Sequence, residues 1–149
     1  MIERIEFEGT EFAIILRSGM SERGIRFFTP PEFSQQLGCM RHPAGHQIEP
    51  HVHRPVQRAV HFTQEALFLR RGRLRVDFYS EAGTYLESRE LAAGDVILLI
   101  RGGHGFEVLE EIEMVEVKQG PYVGEADKAR IEGIAASEVR LTRGPSSSS

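Results

Sequence analysis

Ala66-Leu67-Phe68-Leu69-Arg70-Arg71-Gly72-Arg73-Leu74-Arg75-Val76-Asp77-Phe78-Tyr79-Ser80-Glu81-Ala82-Gly83-Thr84-Tyr85-Leu86-Glu87-Ser88-Arg89-Glu90-Leu91 reads as strand, corner, strand, turn, strand. The apolar runs are too short for helices and are punctuated by glycine. Glu81-Ala82-Gly83 forms a hairpin turn, with Gly83 supplying the left-handed conformation. Gly72 and Gly94 mark further corners. Outward from this stretch the same texture continues. The further strands expected are Arg4–Glu8, Glu11–Arg17, Gln36–His42, Gln47–Val52, Asp95–Ile100, Phe106–Leu109 and Ile112–Lys118. Within the quoted stretch they are Ala66–Arg70, Leu74–Tyr79 and Tyr85–Leu91. This predicts an all-β sandwich or barrel. Helix signals are weak: one turn over Pro31–Gln36, and a partial periodicity over Glu125–Ala136 that Gly133 interrupts.

The 149 residues suit a single domain with its own apolar core, expected over 1–143, followed by a disordered Ser-rich tail at 144–149. A net charge of -4 with no basic block argues against a nucleic-acid partner. The basic run Arg70, Arg71, Arg73 and Arg75 would split between the two faces of a strand at a solvated rim. With one cysteine there is no internal disulfide. Cys39 reads as a small residue in a buried strand. No leader sequence and no apolar span of membrane length is evident, so a cytoplasmic location and no membrane association are expected.

His51-Val52-His53, Glu65 and His104 carry the chemistry. Two histidines one residue apart share a face of a strand. Glu65 shares parity with Leu67 and Leu69, and a carboxylate on an apolar face needs a partner. A metal ion supplies one. His104 shares parity with Phe106 and Val108, placing an imidazole among apolar neighbours.

Two sequence blocks lie over 45–108. Gly45, five residues, His51, one residue and His53 lead on to Glu65, six residues and Gly72. Gly94-Asp95, an apolar strand, Gly102 and His104 follow. This two-part pattern resembles the signature of the cupin family. The resemblance implies a double-stranded β-helix (a jelly-roll barrel) with His51, His53, Glu65 and His104 around one divalent transition metal: Fe, Ni, Mn, Zn or Co. The chain departs from the pattern in three places. Eleven residues separate His53 from Glu65, so that 54–63 reads as an inserted loop. Ile100 replaces the usual proline, and His104 follows Gly102 one residue early.

The resemblance implies a metal-dependent enzyme acting on a small polar metabolite, of isomerase, lyase or dioxygenase type. A non-catalytic module that binds a small ligand or a metal is the competing reading, since fold does not choose function. A third is a metal-free sugar-nucleotide epimerase or isomerase, with His53 or His61 and Tyr122 as acid and base. His42 and His46 are read as belonging to the strand leading into the motif. Lys118, Arg101 and Tyr122 are candidates for the pocket rim. Small barrels of this family often exchange N-terminal strands, implying a homodimer through Ile2–Phe7.

Overall fold

The computed structural model describes residues 1–144. Apart from Gly144, the expected tail at 144–149 lies outside the described residues. The chain separates into two compact units, one of residues 1–20 with 62 onward, the other of residues 21–61. It is all-β, as expected, and the larger unit is a curled antiparallel half-barrel.

The larger unit contains β1 (Ile2–Phe7), β2 (Thr10–Leu16), β5 (Glu65–Tyr79), β6 (Tyr85–Ala92), β7 (Val96–Leu99) and β8 (Gly103–Lys118). The path through the sheet is β1-β2-β7-β5-β6, with β8 along the other side of β5. The first half of β5 pairs with β7 and its second half with β6, while β8 runs beside both. Ile5, Ala13, Ile15, Leu67, Leu69, Leu74, Val76, Phe78, Leu91, Ile97 and Leu99 make up most of the core, which Phe12 joins. Alternation puts them on one face, the ordinary consequence of a period of 2.

Where sequence reading divides 66–79 and 106–118 into two strands each, the structure has single strands, β5 and β8. Gly72 does mark a corner, with φ of 82°. The ladder passes through it by register shifts between Leu69 and Leu74 rather than ending. Such bulges bend a strand sharply without terminating it. Parity flips across the bulge. Glu65, Leu67 and Leu69 therefore share the core face with Leu74, Val76 and Phe78.

Beyond β8 the chain makes two short 3₁₀ turns, Gly124–Asp127 and Ala136–Glu138, in place of a helix over 125–136. It then lies against β6. Ser88 donates to the Arg140 carbonyl and accepts from the Thr142 amide, a parallel bridge that covers the β6 edge.

The second unit is a hairpin of β3 (Gly24–Phe27) and β4 (Gly38–Arg41). β3 is not foreseen, and β4 matches the expected strand over 36–42. It is not a buried strand, however: Met40 is exposed and Cys39 only half-buried. The strand expected over Gln47–Val52 does not form. Pro43, Pro50 and Pro55 each lack the amide that a ladder requires.

Candidate functional site

Glu65 opens β5 and Lys118 closes β8, and the two face each other across the ladder. His104 stands at the other end of β8, opposite Phe78. Thirteen residues separate Glu65 from Phe78 along β5, about 43 Å in a flat strand. Yet His104 Nε2 lies 3.2 Å from Glu65 Oε2. The bulged ribbon curls until its two ends meet. Sequence reading places Glu65 and His104 in one site, and the structure brings these two together.

Lys118 Nζ sits 3.0 Å from the other carboxylate oxygen of Glu65 and 3.4 Å from Asp127 Oδ2. Thr63 Oγ1 donates to Asp127 Oδ1 at 2.6 Å. His104 and Lys118 hold the mostly buried Glu65 carboxyl down at about 2, against the cost of its burial. The bond to Glu65 raises the Lys118 ammonium. Thr63, then Lys118, lower Asp127. Glu65 thus stays ionised at every physiological pH.

Lys118 belongs to the site itself, not merely to its rim. Its parity with Met114 and Glu116 carries that signal. Asp127 and Thr63 are missed by sequence reading: neither lies in a strand, so no periodicity points to them.

His51 and His53 belong to the second unit. They lie in an irregular, exposed segment, not on the inner face of a strand. Their rings still stand together, centroids 5.2 Å apart and nearly perpendicular. His51 Nδ1 lies 2.9 Å from the Glu49 carbonyl. A carbonyl only accepts, so Nδ1 carries a hydrogen and, in the neutral ring, Nε2 is the nitrogen with the lone pair. This is the arrangement by which a metal-ligating histidine is fixed from behind. Within each unit, no three His, Cys, Asp or Glu side chains cluster as metal ligands among the described residues.

The other candidates lie apart from this cluster. His61 and Tyr122 are exposed. His42 and His46 stack face to face with centroids 4.0 Å apart. Parallel rings aim their nitrogens side by side rather than at a shared ion. Arg101 binds Glu81 and lies over the Phe62 ring at 4.5 Å.

A scan against family models returned no match for this chain, and searches of the curated proteins and of the solved structures returned none either. No helix is long and apolar enough to cross a membrane, among the described residues.

Proposed function

We propose that the chain is a cupin-like metal-binding protein that acts on a small-molecule metabolite. Glu65 and His104 would be two of the ligands to a single divalent transition metal. The observation that carries this reading is the 3.2 Å between His104 Nε2 and Glu65 Oε2. Two donors each about 2.1 Å from one cation, at tetrahedral to octahedral angles, stand roughly 3.0–3.4 Å apart. The separation of the pair therefore suits a shared cation once Nε2 gives up its hydrogen. Imidazole with carboxylate suits Fe, Ni, Mn, Zn or Co. His51 and His53 are proposed as the other ligands on their spacing in the sequence alone.

Such an ion, when bound, polarises a carbonyl or hydroxyl and lowers its pKa, or serves an oxygenation. Glu65 contributes a full negative charge, and Lys118 orients it through its second oxygen. The reactions compatible with this donor set are isomerisation, elimination and dioxygenation.

A specific observation favours a second reading. The Lys118 ammonium already neutralises Glu65 at 3.0 Å, as an ion would. In that reading the site is metal-free, with His104 as acid or base, either in an epimerase-like enzyme or in a non-catalytic binding module. Elemental analysis of the purified protein decides between the two. The metal reading expects close to one ion per chain, lost in both His51→Ala and His104→Ala with the circular dichroism unchanged. Ion-free wild-type protein that takes up none on incubation with Fe(II), Mn(II), Ni(II), Co(II) or Zn(II) would overturn it.

A further inference from the structure

A cleft of about 290 Å³ opens in the larger unit between the β1–β2 turn and the β5–β6 turn, and it shares no lining residue with the Glu65–His104 cluster. That volume is at the small end for small-molecule sites. Phe7 and Phe12 give the cleft an aromatic wall, their rings edge to face with centroids 6.2 Å apart. The Phe12 ring is seated where a Cβ at Gly102 would otherwise stand. The charged residues of the lining are Glu8, Glu81 and Arg101. Arg101 Nε donates to Glu81 Oε1 at 2.8 Å, and Nη2 donates to the same oxygen. That pair is neutral and leaves Glu81 Oε2 free to accept. Glu8 has no ion-pair partner among the described residues. Two carboxylates against one guanidinium leave the cleft with one negative charge. Glu8 also occupies a costly position. Its φ of 50° is the one left-handed conformation of a non-glycine residue among the described residues. With Gly9 it makes the two-residue turn between Phe7 and Thr10, where asparagine or glycine is the ordinary choice. Backbone preference does not account for a glutamate there, and strain of this kind collects at functional sites.

We infer that this cleft binds a small primary amine, as its ammonium ion, with an apolar body about the size of one ring. The ammonium brings one positive charge and three N–H donors. The charge offsets the unpaired Glu8 carboxylate. Glu8, the second oxygen of Glu81 and the Thr10 hydroxyl are acceptors that line the same cleft. The body lies on Phe7 and Phe12, whose ring faces also attract a cation. An anion is disfavoured, because Glu81 already holds Arg101 and the remaining charge repels it. The inference goes beyond the metal reading and does not depend on it.

Benzylamine, benzyl alcohol and benzoate share a ring and differ in the charge of the head group. Each is titrated into the full chain at pH 7 and followed by calorimetry. Benzylamine should bind at least about tenfold more tightly than the alcohol, the yield of one charge-assisted hydrogen bond. Benzoate should bind most weakly. Glu8→Gln should bring the amine down to the affinity of the alcohol. Glu8→Gly should do the same, and glycine adopts the left-handed turn without strain, so a melting temperature no lower than that of the wild type shows the turn intact. Equal affinity for amine and alcohol, tightest binding of benzoate, or an amine preference that survives both Glu8 variants overturns the inference. So does an absence of binding by all three probes at millimolar concentration. Each of these outcomes leaves the metal reading standing.

Discussion

At Glu65 a carboxylate largely removed from water keeps its charge because His104 and Lys118 each occupy one of its oxygens. Its folded pKa of about 2 lies below its ordinary 4.5, so the folded state binds fewer protons than the unfolded one. The resulting stabilisation is complete above about pH 5 and is lost as pH falls towards 2. At about 1.4 kcal/mol per pH unit it amounts to roughly 3 kcal/mol. Glu65→Gln should therefore flatten the stability profile between pH 5 and pH 2. Urea unfolding of both proteins across that range checks this, and profiles that run parallel would refute it. The need of Glu65 for a partner is legible from its parity with Leu67 and Leu69. That His104 stands beside it follows from the expected site, whereas Lys118 as a partner does not, because the ladder that pairs the two strand ends is a tertiary feature.

The β5–β8 ribbon owes its curl to the register shifts around Gly72. A Cβ at Gly72 would run into the Glu111 carbonyl, and φ of 82° is a conformation that other residues resist. Gly72→Ala should cost about 3 kcal/mol, combining left-handed strain with the clash. It should also loosen the His104–Glu65 contact, since the bend brings the two ends together. Gly133→Ala is the control: a Cβ there meets nothing within 4 Å, and the change should stay within about 1 kcal/mol. Thermal unfolding compares the two. On the exposed outer side, Arg70, Arg71 and Arg73 pair with Glu113, Glu111 and Glu110. These pairs contribute little to stability, because water and salt screen them. Their charges do guard β8, which pairs only with β5 among the described residues, against adding another strand.

Across the larger unit, a buried ionic cluster ties the first strand to a distant turn. Arg17 donates to Glu3 on β1 at 2.6 Å and to Asp95 at the β6–β7 turn at 2.7 Å. Asp95 also accepts from the Ser18 and Ala92 amides. Both carboxylates are almost fully buried. Arg17→Met would strand Asp95 without its cation and leave Glu3 only Arg89, 3.3 Å from its other oxygen, at a cost of about 3–5 kcal/mol. Denaturant unfolding at pH 7 measures this, and a loss under 1 kcal/mol would show the cluster to be dispensable. The all-β class and seven of the eight strands follow from the alternation of apolar residues and the glycine punctuation. β3 escapes because four residues between turn-rich flanks carry too little pattern. The strand expected at Gln47–Val52 fails because proline removes ladder donors.

Alternation, turn chemistry and the residue types at 51, 53, 65 and 104 are local properties, so the chain order alone settles the all-β class and nominates candidate ligands. Which end of a bent ribbon meets which is not local. It depends on how far bulges turn the backbone over more than ten residues, and on the core that closes beneath it. Folding therefore set His104 against Glu65, joined Lys118 and Asp127 to them, and left Phe106 and Val108 facing water.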